Sequence, residues 1–137
     1  MVQLLSYIIE LYCTSATVKT RKRTFSIERG PYIYIGSCGR SCWKRIARHF
    51  RTEKKLFWHI DYATTACLPI NAIVLRVEEK CLAKSLSEGL EYVRGFGCSD
   101  DREAPSHLFK ASLREAIDAI TARRPCQWRG KKEVIGL

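Results

Sequence analysis

The stretch Gly30-Pro31-Tyr32-Ile33-Tyr34-Ile35-Gly36-Ser37 alternates phenol and isoleucine until a glycine interrupts it. Successive strand residues face opposite sides, so Tyr32 and Tyr34 share one face while Ile33 and Ile35 share the other. The isoleucine face reads as core. A phenol can take or orient a proton, but with a pKa of about 10 it serves as a base only beside a cation. Cations follow at once: "RSCWKRIARHFR" (40–51) has helical spacing and sets Arg45 and His49 one turn apart. Further on, Glu78 and Glu79 open a second helical segment, where a carboxylate can ligate a hard divalent cation. Each feature has a plainer account. Strand tyrosines pack, helix arginines are solvated, and a first-turn glutamate offsets the helix dipole.

The whole chain favours a phosphate-bearing partner. Its 137 residues carry 24 Lys and Arg against 14 acids, a net +10, which suits nucleic acid or an anionic surface. No apolar run approaches the ~18 residues of a membrane span. The start, "MVQLLSYIIELYC", lacks the basic n-region and unbroken apolar core of a secretory signal, so the expected compartment is the cytoplasm. Seven cysteines form no CxxC pair, which argues against a zinc knuckle and for mostly reduced thiols, with disulfides open only to a hyperthermophile source.

Elements that could position the candidate residues are legible. Residues 4–12 and 24–28 read as strands, joined by the basic turn "KTRKR" at 19–23, and the tyrosine–isoleucine stretch is the third strand. In the 40–51 helix, Trp43, Ile46, Ala47 and Phe50 recur at helical spacing and are expected to face the sheet. A short helix is expected within 55–67, and "INAIVLRV" (70–77) reads as a central strand covered on both faces. A helix with Leu82, Leu86 and Leu90 on one stripe follows, then a loop at 95–105 and a short strand in "SHLFKA". Ser112 and Glu115 form a capping box for a last helix burying Leu113, Ala116, Ile117 and Ile120. The expectation is a single domain over 1–124 with a basic tail at 125–137. Its fold class is α/β (α+β): a small mixed, mainly antiparallel sheet of three to four strands layered with helices.

With these elements in order, the chain resembles the GIY-YIG nuclease superfamily. The second motif of that family is Tyr34-Ile35-Gly36; the helical arginine and the histidine one turn later correspond to Arg45 and His49. The glutamate that opens a helix, with a leucine three residues on, corresponds to Glu79 and Leu82 in "EKCLAKSL". The first motif is reduced to Tyr7 in "LSY", and the gap to Tyr34 implies an enlarged hairpin. "FWHIDY" (57–62), "GFG-SD" (95–100) and "SHLF" (106–109) resemble a largely archaeal branch sometimes fused to endonuclease III-like repair domains. The resemblance runs from Leu4 to about Phe109.

It implies a metal-dependent endonuclease hydrolysing DNA phosphodiester bonds, with a non-catalytic nucleic-acid-binding module of the same fold as the alternative. On that reading Tyr7 and Tyr34 handle the proton of the attacking water, with Tyr32 nearer the edge. Arg45 assists the phosphate, His49 holds a tyrosine or the leaving oxygen, and Glu79 holds one Mg²⁺ or Mn²⁺. Lys19, Arg21, Lys22, Arg23, Lys44 and Arg48 are the candidate DNA contacts, with no membrane partner. His59, Asp61, Asp100 and His107, which the general nuclease pattern does not use, are expected as a second polar cluster or a structural network.

Overall fold

Two eight-residue strands, β1 (Ser6–Cys13) and β4 (Gly30–Ser37), pair antiparallel along their whole length and carry the centre of the sheet. The computed structural model describes residues 5–51, 59–63, 66–97 and 103–123. β2 (Ala16–Lys19) and β3 (Thr24–Ile27) form a separate hairpin, with the "KTRKR" segment at its tip. α1 (Cys42–His49) and α2 (His59–Ala63) follow, then β5 (Cys67–Leu75), α3 (Glu79–Ser87), β6 (Leu108–Phe109) and α4 (Leu113–Arg123). The main sheet has the order β5-β1-β4-β6 and every pairing in it is antiparallel, giving a small α+β fold. Among the described residues no helix is long and apolar enough to cross a membrane.

The alternation of β4 divides the interior in two. On one face Ile8, Ile33 and Ile35 pack with Leu82, Ala83 and Leu86 of α3 and Ala116 of α4. On the other, Tyr7, Ile9, Leu11, Tyr32 and Tyr34 pack with Val18, Phe25 and Ile27 of the hairpin, Ile46 of α1, and Phe96. The phenol face is therefore core as well, sealed by a hairpin and a helix.

Local chemistry explains the element boundaries. Ser112 and Glu115 close the expected capping box, each side chain accepting from the other's backbone N–H at 3.1 and 2.8 Å. Glu10 adds a cap from the sheet, its Oε2 accepting from Leu113 N at 3.0 Å. Ser41 starts α1 by accepting from Lys44 N.

Expectations fail at β5, at α4 and at the cysteines. β5 is an edge strand beside β1, and Leu68, Ile70 and Val74 are exposed; its continuous apolar run mimics a central strand because one neighbour and partial cover suffice. Ile117 of α4 is 42% exposed, since the helix turns Leu113, Ala116 and Ile120 inward. The cysteines are not all reduced: Cys13–Cys67 and Cys38–Cys42 are disulfides, and Cys81 is disulfide-bonded too. Linear spacing could not reveal the first, because Cys13 and Cys67 meet only through the β1–β5 register. The second arises in a turn, where Gly39 at φ +57° brings Cys42 back to Cys38 without a shared helical face.

Closing a loop between residues 54 apart constrains the unfolded chain by roughly 4 kcal/mol in the chain-entropy account. Replacing both Cys13 and Cys67 by serine should lower the unfolding free energy by about 2–4 kcal/mol. Urea unfolding under non-reducing conditions measures this, and an unchanged midpoint would show that the cross-link contributes nothing.

Candidate active site

The site begins with a missing side chain. The β1–β4 register sets Tyr7 opposite Gly36. A Cβ on Gly36 would lie 2.3 Å from both Cζ and Oη of Tyr7, so the phenol occupies the space a side chain would need. Laid across the glycine, Tyr7 Oη comes 2.7 Å from His49 Nε2. The ring of Tyr34 meets the same imidazole edge-on, with centroids 5.8 Å apart. His49 thus contacts both phenols that the family resemblance singles out. Tyr32 plays a different part. Its hydroxyl accepts from Glu28 N and donates to Glu28 O, both at 2.9 Å, tying down the β3–β4 connection.

α1 presents its polar side to this pair. Arg45 Nη1 donates to Ser37 O at 2.8 Å, and its guanidinium covers Gly39, where a Cβ would stand 2.6 Å from Nη2. Arg48 pairs with the buried Asp61 of α2 at 2.7 Å. The expected inward face of Trp43, Ala47 and Phe50 is instead exposed, leaving Ile46 and His49 as the buried residues of the helix. Two constraints turn it: the Cys38–Cys42 disulfide sets where the helix starts, and a buried phenol and imidazole need each other as partners.

Glu79 arrives from α3. Its neighbour Glu78 is the helix N-cap, spending its carboxylate on the N–H groups of Lys80 and Cys81. That leaves Glu79, one-fifth exposed, to reach His107, whose Nδ1 lies 3.2 Å from Oε2. The same Nδ1 is 3.3 Å from the Ile35 carbonyl. Both neighbours are acceptors, so Nδ1 carries a proton and joins Glu79 to the backbone of Tyr34-Ile35-Gly36. Gly97 packs on Tyr34 and His107, its absent Cβ only 3.1 Å from the phenol ring.

His107 and Asp61, expected in a second polar cluster or a structural network, bond Glu79 and Arg48 respectively. Each supports a residue around Tyr7. Nothing in the linear spacing signals this, because both links are made across the fold. The side chain of His59, and Asp100 altogether, lie outside the described residues.

The charges converge on one hydroxyl. Burial pushes the Tyr7 pKa far above that of an ordinary phenol; Arg45 opposes the shift, Glu79 and Asp61 add to it, and Arg48 opposes it weakly. Desolvation wins, so the hydroxyl is neutral at physiological pH and can relay a proton but not stand as phenolate. Among the described residues no three His, Cys, Asp or Glu side chains gather into a metal cage.

Of the candidate DNA contacts, Lys19, Arg21, Lys22 and Lys44 are exposed. Arg23 is exposed too, although its guanidinium stacks over Phe25 and lies against Gly95, and Arg48 is held by Asp61. The basic tail lies outside the described residues.

The family model DUF123, a domain of unknown function, matches residues 6–125, and the chain belongs to that family. No curated protein and no solved structure matches it.

The raised Tyr7 pKa has a definite consequence for stability. Below about pH 10 both folded and unfolded phenols are protonated, and the contribution is fully present. Above that, only the unfolded chain releases the proton, so stability falls by about 1.4 kcal/mol per pH unit until the folded value is reached. Between about pH 9 and 11, urea unfolding should show wild type losing about 1.4 kcal/mol more stability than Tyr7→Phe, most of it above pH 10. Parallel curves would mean that the Tyr7 hydroxyl is not held neutral by the fold.

Proposed function

We propose that this DUF123 chain is a GIY-YIG-type endonuclease that hydrolyses phosphodiester bonds in DNA with the aid of one divalent cation. One observation carries the reading: His49 bonds the Tyr7 hydroxyl at 2.7 Å, Arg45 bonds Ser37 O at 2.8 Å, and Glu79 is joined through His107 to Ile35 O, so residues from distant segments meet at the Ile35–Ser37 end of β4. A mere packing tyrosine needs no such company. The match of Tyr34-Ile35-Gly36, Arg45, His49 and Glu79 to the family pattern, and the net charge of +10, support it.

On this reading the proton steps run along the Tyr7–His49 hydrogen bond. With His49 Nε2 unprotonated, the Tyr7 O–H donates to it, and the phenol oxygen keeps lone pairs for a water proton. As water attacks phosphorus, its proton passes to Tyr7 Oη while Tyr7 gives its own to His49. The phenol begins and ends neutral, which suits a buried group. Arg45, fixed over Gly39, brings positive charge to the phosphate as its negative charge grows. A hard cation such as Mg²⁺ or Mn²⁺ often takes one carboxylate and several waters, and the partly exposed Glu79 fits that donor set. When bound, it would neutralise charge on the phosphate and the leaving oxygen.

A second reading is favoured by the burial of Tyr7, which is only 2% exposed. On that reading the same fold binds nucleic acid without cutting it.

Glu79→Gln separates the two. Glutamine keeps an oxygen that accepts from His107, so the fold is retained, but it lacks the charge that would hold a cation. Labelled duplex, nicked, branched and single-stranded DNA should be cut by wild type in Mg²⁺ or Mn²⁺ and not with chelator. Glu79→Gln should cut roughly a hundredfold more slowly or worse, since a metal supplies several kcal/mol of barrier lowering. DNA affinity should be retained. A wild-type protein that binds but never cuts would favour the binding module, and Glu79→Gln cutting at the wild-type rate would defeat the proposed role of Glu79.

A further inference from the structure

The outer side of α1 carries side chains that neither the core nor the proposed site uses. Trp43 is 77% exposed and Phe50 42% exposed, and Ala47 between them is exposed as well. Spacings of four and three residues put all three on one stripe, with Trp43 and Phe50 about 10 Å apart along the axis. Arg40, Lys44 and Arg51, each exposed, border that stripe. The other two arginines of 40–51 turn inward, Arg45 to Ser37 and Arg48 to Asp61. No acidic residue occurs in the segment.

A scattered surface leucine would call for no explanation, whereas a nearly bare indole in line with a second aromatic does. The rim of cations selects a polyanionic occupant. The flat aromatic faces select one that also offers flat faces of its own. In a duplex the bases are stacked on one another and present only their edges in the grooves. An unpaired strand presents both phosphates and base faces.

Building on the nuclease reading, we infer that this stripe binds unpaired bases of a nucleic-acid strand. Trp43 is the main stacking platform, Phe50 extends it, and Arg40, Lys44 and Arg51 meet the adjoining phosphates. Because the inner side of the same helix carries Arg45 and His49, a strand seated on the stripe lies about one helix diameter, roughly 10 Å, from the candidate active site. The substrate class is then nucleic acid with a single-stranded or splayed segment next to the bond to be cut, not continuous duplex.

The test is fluorescence anisotropy with a labelled single-stranded oligodeoxynucleotide, its duplex, and a strand of equal length made of abasic sites. The proteins are the full chain, Trp43→Ala and Trp43→Phe, with thermal melts to establish that the exposed substitutions leave the fold intact. Wild type should prefer the single strand. Trp43→Ala should weaken that binding roughly tenfold, Trp43→Phe should retain most of it, and duplex and abasic affinities should change less than about twofold. Single-strand affinity unchanged in Trp43→Ala overturns the stripe, and leaves the nuclease reading standing if wild type still binds and cuts duplex. Wild type that binds neither strand nor duplex at low salt overturns both. A concentration-dependent dimer that Trp43→Ala abolishes assigns the stripe to a second copy of the chain and overturns the base-stacking role.

Discussion

The contact of Tyr7 with Gly36 sets the terms for everything around it. The register of β1 on β4 puts a phenol opposite a glycine, and the ring fills the space where any other residue would project. Once the hydroxyl is buried there it needs a partner, because an unsatisfied buried hydroxyl costs about 1–3 kcal/mol. His49 meets that need at 2.7 Å, and to do so α1 must turn its polar side to the sheet. Leaving Trp43 and Phe50 outside forgoes burial worth about 1.5–3 kcal/mol for a large apolar side chain. Packing alone would have oriented this helix the other way. Its observed orientation follows from the buried polar pair and from the Cys38–Cys42 tether.

The charged groups are held by the same use of space. Arg45 lies over Gly39, Arg23 against Gly95, and Tyr34 against Gly97, so three of the glycines with positive φ also make room for a functional or supporting side chain. On the opposite side of Tyr34-Ile35-Gly36, His107 uses one N–H to link the Ile35 carbonyl to Glu79. The isoleucine face anchors α3 through Leu82 and Leu86, and the cap at Glu78 settles which of two adjacent glutamates faces the site. Core packing, helix capping and the geometry of the candidate site are therefore coupled through a few residues of β4.

Much of this was legible in the chain. The Tyr–Ile alternation foretold two faces, Ser112 and Glu115 foretold a helix start, and the doublet at 78–79 narrowed the acidic candidate to two residues. What stayed hidden depends on contacts between distant segments. The pairing of Cys13 with Cys67 needs the β1–β5 register, and the edge position of β5 needs the strand order. That Asp61 bonds Arg48 and His107 bonds Glu79 could not be read from the chain, because each link joins distant segments. The phase of α1 misled for a physical reason: the apolar periodicity of Trp43, Ala47 and Phe50 is real, but a buried hydrogen bond outranks it.

The most direct measurement of the central claim is the stability of Gly36→Ala. Glycine within a strand is ordinarily worse than alanine by roughly 0.5–1 kcal/mol, so a spare glycine replaced by alanine should raise stability. Here the added methyl would stand 2.3 Å from a phenol that is 2% exposed and bonded to His49, leaving the ring no free space to move into. Urea unfolding should therefore show Gly36→Ala less stable by about 1–3 kcal/mol, the usual cost of overpacking. Pairing it with Tyr7→Phe should not recover the loss, since the ring remains, whereas pairing it with Tyr7→Ala should recover part of it. A Gly36→Ala protein as stable as wild type, or more so, would contradict the account, because the Tyr7–Gly36 contact would then not be what organises the site.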